Sequence, residues 1–347
     1  MLDDGTLVTA KHYLDASGHP GVLRRALQVP IEIPSTLQNV AVWDYWQNAE
    51  WAVEIGVGAT KVQVMSLPYG WIWFIPLSPT RTSVGLIVPV AYLKESGKKL
   101  EELYASALVE EPRIHGLMAK AVSEGKLQTT KDWSFVAQRH AGANWFLIGE
   151  SAGFADPILA AGLSLTHASA RECAYSILAE FQGGDKEWLW SEYAERNERR
   201  LRQHIRFADY WYTANANFSD LKQFTTEIAR DAGLELDAER AFQWLGTGGF
   251  VEEDMAVGGI GTVSLDVLQQ IANRFSEKPL EKSPINGMNV FTPDWDGAQL
   301  VKRANYRDGK ITQVPALRKG AKLLPLTGIF GMIVSGLDAS PKLVDLE

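Results

Sequence analysis

Trp145-Phe146-Leu147-Ile148-Gly149-Glu150-Ser151-Ala152-Gly153-Phe154-Ala155-Asp156-Pro157, running on to Ala161-Gly162-Leu163, is the stretch that decides how this chain folds. Four apolar residues ending at Gly149 read as a short buried strand. A turn of small residues follows, then an Asp-Pro stop, then a glycine that opens a helical pattern. From Leu163 the apolar or small positions recur at His167, Ala170, Ala174, Ile177, Leu178 and Phe181, the spacing of one helix face. Gln182-Gly183-Gly184 closes the helix. A strand that brings an acid and a helix N-terminus to one point suits a polar, partly anionic ligand, because first-turn amides lack intrahelical acceptors. A strand-turn-helix connection with no ligand is the alternative.

Working outward, the chain has 347 residues, 46% of them hydrophobic and 22% charged, the balance of a globular protein. At roughly 100–200 residues per domain this is two domains or one large one. A net charge of −8 argues against general nucleic-acid binding, which needs excess Lys and Arg. The single cysteine, Cys173, rules out an intrachain disulfide and any Cys-rich metal site, and reads as a packed core thiol. His12, His19, His115, His140, His167 and His204 are scattered, without metal-ligand spacing, so no metal is expected. The opening Met1-Leu2-Asp3-Asp4-Gly5 has no signal-peptide pattern. The longest greasy tract, Leu323 to Leu337, is interrupted by Pro325, Gly328, Gly331 and Gly336 and falls short of the ~20 residues of a membrane span. The expectation is a cytoplasmic protein with no membrane contact.

Asp4-Gly5 is a hairpin signal, and Leu7-Val8-Thr9-Ala10 reads as a strand needing an upstream partner. Tyr13-Leu14-Asp15-Ala16-Ser17-Gly18 is a strand that ends in small residues, where backbone can approach a ligand. Leu37–Tyr45, Val62–Leu67, Trp71–Ile75 and Thr82–Val88 read as sheet, with Ser78 to Arg81 as a hairpin turn. Lys98 to Leu108 and Ile114 to Ala121 are helix candidates either side of Pro112, and Thr129 to Phe135 returns to strand. Trp188 to Phe218 is helical, with Arg196, Arg199, Arg200, Arg202 and Arg206 on a basic face. That face reads as solvated and paired with Glu192, Glu195 and Glu198, or else as a dock for an anionic carrier protein. Leu221–Ala232 and Val267–Phe275 are further helix candidates around a glycine-rich loop, Gly246 to Gly261. The tail from Asn286 carries turn signals at Asn286-Gly287 and Asp308-Gly309.

Trp71-Ile72-Trp73-Phe74-Ile75-Pro76 matches the WxWxIP motif and so resembles the flavin-dependent halogenases. Trp71 and Trp73, two apart on a strand, share one side and can wall a bulky substrate off from a cofactor; alternating core aromatics are the commoner outcome for such a pair. Asp15-Ala16-Ser17-Gly18 resembles the DASG turn of two-dinucleotide-binding-domain flavoproteins, near the adenosine diphosphate of FAD. The stretch that opens at Gly149 resembles the family's second FAD-contacting motif, and the three follow one another in the family's order. The resemblance covers roughly Leu7 to Tyr212. It implies an α/β (α+β) fold: an FAD/NAD(P)-binding, Rossmann-like flavoprotein domain over residues 1–184, lacking its first βαβ unit. An antiparallel substrate-side sheet is inserted at about 30–135, and a mostly helical substrate or cap region spans 185–347.

By the same resemblance, Gly149 and Glu150 lie by the ribityl and phosphate region, Pro157 by the isoalloxazine, and Ala161, Gly162 and Leu163 at its pyrimidine edge. The amides of Ala161 and Gly162 are the halide site, suited to chloride by dipoles with no competing carboxylate. The implied chemistry uses reduced FAD from a separate flavin reductase, oxygen, and chloride or bromide. A lysine guides the oxidant to an electron-rich aromatic, free or bound to a carrier protein. Two departures stand out. Glu150 replaces the usual Asp, and Leu159-Ala160-Ala161 replaces the Glu-Ser-Thr of the tryptophan branch, which points to the phenol- and pyrrole-type branch. Gly56-Val57-Gly58, Gly246-Thr247-Gly248-Gly249 and Gly258-Gly259-Ile260-Gly261 all fail the Gly-rich dinucleotide fingerprint. None of Lys61, Lys94, Lys98 or Lys131 matches the family's lysine. The expectation is therefore a C-terminal fragment of such an enzyme. A flavin monooxygenase, a prenyl-reductase-like oxidoreductase or a non-catalytic remnant are the alternatives.

Overall fold

Between Asn39 and Pro89 the β-branched and aromatic residues zip into the largest sheet of the computed structural model. The structure describes residues 4–35, 38–51, 54–56, 59–60, 62–132, 134–159, 161–216, 295–320 and 322–339. In chain order, β1 (Tyr13–Asp15), α1 (Val22–Ala26) and β2 (Ile31–Glu32) come first. Then come β3 (Asn39–Gln47), a small hairpin of β4 (Glu54–Gly56) and β5 (Ala59–Thr60), β6 (Gln63–Leu67), β7 (Gly70–Pro76) and β8 (Arg81–Pro89). Helices α2 (Val90–Ser96), α3 (Leu100–Glu110) and α4 (Pro112–Leu117) lead to β9 (Val122–Ser123) and β10 (Gln128–Asp132). Short strands β11 (Phe135–Ala137), β12 (Ala141–Gly142), β13 (Trp145–Leu147) and β14 (Gly153–Phe154) precede α5 (Gly162–Phe181) and α6 (Lys186–Ala216). The last described elements are β15 (Gln299–Arg307), β16 (Lys310–Lys319), β17 (Lys322–Pro325) and α7 (Gly328–Ala339).

The large antiparallel sheet runs β10-β3-β8-β7-β6, with β9 also on β3. Period-two alternation gives it two different faces. Val42, Ile72, Phe74, Val84 and Leu86 point to one side and pack on Leu103, Tyr104 and Ala107 of α3. Tyr104 ties the layers further: its hydroxyl donates to the Val84 carbonyl at 2.9 Å and accepts from the Trp46 indole at 2.9 Å. The other face carries Trp43, Trp71 and Trp73. A second, smaller sheet holds the only parallel pair among the described strands, β1 beside β13, with β12 on the far side of β13. A separate core joins Phe146, Ile148, Cys173, Leu189, Trp190 and Tyr193 beneath it. Burial pushes the Cys173 thiol up to about 12, as a packed thiol requires.

The structure corrects four expectations. Thr129 to Phe135 is not one strand: β10 pairs with β3 while β11 pairs with β2 and β14 in another sheet. Leu7 to Ala10 has no strand structure; Leu7 and Val8 are exposed, and no described strand lies beside them to supply hydrogen bonds. The helix over α5 is confirmed, but its buried face is Leu165, Ala168, Ser169, Glu172, Cys173 and Ser176, whereas Leu163, His167, Ala170, Ala174, Leu178 and Phe181 are exposed. Apolar periodicity selected the wrong face because the buried one is small and polar. The basic face of α6 is also not simply solvated. Arg199 and Arg202 do pair with Glu195 and Glu198, but Arg196 and Arg200 are buried. The helix candidates Leu221–Ala232 and Val267–Phe275, and the Gly246 to Gly261 loop, lie outside the described residues. Asp308-Gly309 does turn a hairpin, between β15 and β16, with φ of 51° and 76° at the two positions.

Arg196 and Arg200 are buried because Glu172 of α5 is. Its Oε1 accepts from Arg196 Nε at 2.9 Å and from Arg200 Nη2, and its Oε2 accepts from Arg200 Nη1 at 2.9 Å. One turn away Glu192 accepts the Ala304 amide at 2.8 Å and meets Arg303 Nε at 3.2 Å, which fastens β15 to α6. Removing the carboxylate takes away the counter-charge that two buried guanidiniums share. Glu172→Ala is expected to lower the unfolding free energy by about 3–5 kcal/mol, read from urea denaturation followed by circular dichroism.

Candidate functional site

Strands β1 and β13 lie parallel, with Asp15 opposite Leu147, so their C-terminal ends emerge side by side. Such ends of parallel strands are where α/β proteins bind ligands. The Ser151 hydroxyl joins the two turns: it accepts the Ile148 amide at 2.9 Å and donates to the Asp15 carbonyl. The Asp15 carboxylate, in contrast, is already used. It accepts the Ser17 amide at 3.0 Å, the Ser17 hydroxyl at 2.6 Å, and the amides of Leu23 and Arg24 at 2.8 and 3.1 Å. It thereby caps α1. Burial pushes its pKa up, but the Ser17 hydroxyl and these amides outweigh burial and hold it below the usual carboxylate range. Ala16 and Ser17 are exposed and Gly18 half-buried with φ +74°, so this turn offers a ligand its backbone rather than an acid.

On the neighbouring turn, Gly149 has φ +59°, and a Cβ there would stand 2.5 Å from Thr166 Oγ1 of α5. Its amide donates to Ser169 Oγ at 3.0 Å, docking the turn onto the helix. Asp156 Oδ1 accepts the Ile158 amide at 2.8 Å, which shapes the turn around the half-buried Pro157. Ala161 is the N-cap of α5 and Gly162 its first residue. Gly149, Glu150, Asp156, Ala161 and Gly162 line a small cleft. Backbone donors, small side chains and a helix N-terminus suit the edge of a flat, electron-rich ring. These residues could line one edge of a flavin but do not enclose a dinucleotide. Leu163 is 74% exposed and is not part of the cleft wall. Glu150 Oε1 lies 3.5 Å from where a Cβ on Gly162 would be. A carboxylate therefore does stand beside the expected halide amides, contrary to the reading that none competes there.

Across the way stand the tryptophans. Trp71 is buried and Trp73 half-buried, their rings 6.0 Å apart on the same face. Trp73 opposes Gly85 of β8, and Gly85 opposes Trp43 of β3. A Cβ on Gly85 would stand 2.2 Å from Trp73 Cζ2, so the indole lies across that glycine and comes within 6.1 Å of Trp43. The Trp73 indole donates to Ser83 Oγ at 3.1 Å. Trp71 Nε1 donates to Tyr212 Oη at 2.8 Å, and that hydroxyl lies 3.4 Å from Asp156 Oδ1. The wall and the Asp156–Gly162 turn, 85 residues apart between Trp71 and Asp156, thus meet through α6. Tyr212 had no signal in the sequence, because no spacing relates it to either partner; Trp43 and Gly85 become visible only once the register of β3, β8 and β7 is known.

No group of metal-ligating side chains occurs among the described residues. Asp156 is the most perturbed acid of the site: burial, with Asp209 nearby adding to it, pushes its pKa up to about 7. In the unfolded chain it ionises near 3.8, so the folded protein keeps a proton that the unfolded chain has released. Asp156 therefore makes stability fall as pH rises from about 4 to about 7 and has no further effect above that range. Asp156→Asn is expected to remove this loss, raising the urea midpoint relative to the native protein at neutral pH but not at about pH 4.

Residues 1–230 match the family model described as tryptophan halogenase. A tryptophan 2-halogenase from Chondromyces crocatus is 30% identical over 331 residues, covering 82% of this chain and 62% of that protein. The flavin-dependent halogenase armH2 of Armillaria mellea is 28% identical over 205 residues, 52% of this chain and 38% of that protein. The chain therefore spans less than two thirds of the length of these relatives. Among solved structures, the flavin-dependent halogenase CmlS superposes with a TM-score of 0.59 at 20% identity, over 89% of this chain and 57% of that one. The flavin-dependent brominase Bmp2 gives 0.55 at 22% identity, over 64% and 57%. These likenesses show a shared mixed α/β fold. The match over two thirds of its length, on the wall motif and the Gly149–Leu163 turn alike, places the chain in the tryptophan halogenase family.

Proposed function

We propose that the protein halogenates an electron-rich aromatic, using reduced FAD, oxygen and a halide. The observation that carries this is the meeting of Trp71 with the Asp156–Gly162 turn through Tyr212, which sets a rigid indole wall against a ring-edge site. Bound reduced FAD would supply the oxygen chemistry that turns halide into an electrophilic oxidant. The chain's own residues do the rest. Gly149, Gly162 and the first turn of α5 orient the ring edge and favour negative charge on it by about 0.3–1 kcal/mol. The backbone of Asp15 to Gly18 and of Gly149 and Glu150 would face the remainder of the cofactor. Trp71 and Trp73 exclude water and keep the substrate off the ring.

Neither a Gly-rich fingerprint nor a lysine in the family's context is present in the 347 residues, and β1 has no strand on its outer edge among those described. The halogen carrier and the pyrophosphate cradle are accordingly assigned to no residue here. The substrate we favour is a phenol or pyrrole rather than free tryptophan, because Leu159-Ala160-Ala161 lacks the polar set of the tryptophan branch. The tryptophan 2-halogenase among the relatives makes this the finer point for experiment. Arg196 and Arg200 are spent on Glu172, which withdraws them from any surface for an anionic carrier.

The purified 347-residue chain is expected to retain FAD weakly; tight stoichiometric retention would contradict that. With FAD in large excess, a flavin reductase and bromide, mass spectrometry should find a brominated phenol or pyrrole and no bromotryptophan. A hydroxylated phenol without bromination would instead assign the protein to the flavin monooxygenases. Glu150→Gln removes the charge beside the α5 N-terminus and should tighten chloride binding about two- to fivefold, read by chloride NMR line broadening.

A further inference from the structure

The face of Trp71 is set by more than its strand. Its indole N–H donates to Tyr212 Oη at 2.8 Å, and a hydroxyl that accepts one hydrogen turns its own outward. Asp156 Oδ1, 3.4 Å away, lies where that hydrogen can go. All three groups are buried: Trp71 by 98%, Asp156 by 92% and Tyr212 by 91% of their surface. Water is therefore a poor substitute for any of them. The three come from three elements, β7, α6 and the turn that precedes α5. Asn39, fully buried on the same face of the sheet as Trp71, is a further hydrogen-bond partner of the Asp156 carboxyl.

We propose that Tyr212 is a positioning residue: it fixes the rotation of the Trp71 indole against the Asp156–Gly162 turn, with Asp156 setting the direction of the hydrogen-bond chain. The role rests on the halogenase reading of the site, but the contact does not. Without the hydroxyl, the buried indole N–H loses the acceptor that fixes its direction, so the ring is free to turn and the gap between wall and turn changes. In the working enzyme that gap decides whether oxidant reaches the aromatic or escapes.

The test uses the whole chain with isotope-labelled tryptophan, the Trp71 indole resonance being assigned by its loss in Trp71→Phe. In Tyr212→Phe the Trp71 N–H signal is expected to move upfield and to exchange with solvent roughly tenfold faster, while the indoles of Trp145 and Trp190 stay in place. An unmoved Trp71 signal overturns the proposal. Should Tyr212→Phe not fold, Asp156→Ala carries the same test: the Trp71 signal must move, and if it does not the proposal fails. In parallel, the fraction of consumed oxygen that appears as halogenated product should fall in Tyr212→Phe with the substrate KM unchanged, which loss of general stability would not produce. A native chain that yields no halogenated product refutes the functional reading, while the resonance shift still decides the role of Tyr212.

Discussion

A carboxylate with no exposed surface must be neutralised on the spot, and Glu172 is neutralised by two arginines from a different helix. That requirement fixes α5 against α6 in rotation and in height. α5 in turn presents its first residue, Gly162, to the cleft, and α6 presents Tyr212 to Trp71. The ion cluster therefore aligns the two helices whose ends build the site. Replacing it by apolar residues of equal volume would cost little stability in principle, whereas removing one partner alone would be costly.

The strands of the sheet-rich part were legible from β-branched and aromatic runs, and β3, β6, β7 and β8 fall where those runs lie. Helix α5 was legible too, from its glycines at both ends. Its orientation was not. Leu163, Leu178 and Phe181 form the greasier side yet face outward, whereas Ser169, Glu172 and Ser176 face in. Periodicity finds the face that is apolar, and this helix buries the one that is small enough for close approach and polar enough to bond: Ser169 takes the Gly149 amide and Glu172 the arginines. The same blindness hid the split between β10 and β11, since seven residues of strand-like sequence say nothing about which sheet each half joins.

In the site, the acids are engaged differently from what their places in the motifs suggest. Asp15, an obvious ligand contact on paper, spends Oδ2 on the first turn of α1 and Oδ1 on Ser17, shaping the turn from within. Glu150, one methylene longer than the residue it replaces, reaches toward Gly162. Asp156 stood in the quoted stretch only as half of an Asp-Pro stop and proves to be the acid of the site most altered by its surroundings. Sequence carries the identity of such groups; which of them is spoken for depends on hydrogen-bond partners near in the chain, as Ser17, Leu23 and Arg24 are to Asp15, or distant, as Tyr212 is to Asp156.

Gly85 gives the wall a dimension that its own motif does not encode. Trp43 and Trp73 sit two strands apart, and only the bare backbone of β8 between them lets the Trp73 ring lie down toward Trp43. The depth of the space in front of the wall is thus written on β8, at a position with no aromatic character. Two proteins can share Trp71-Ile72-Trp73-Phe74-Ile75-Pro76 letter for letter and still offer rooms of different size. Across relatives, acceptance of wider or narrower rings can then drift through the strand behind the tryptophans while the tryptophans themselves stand still.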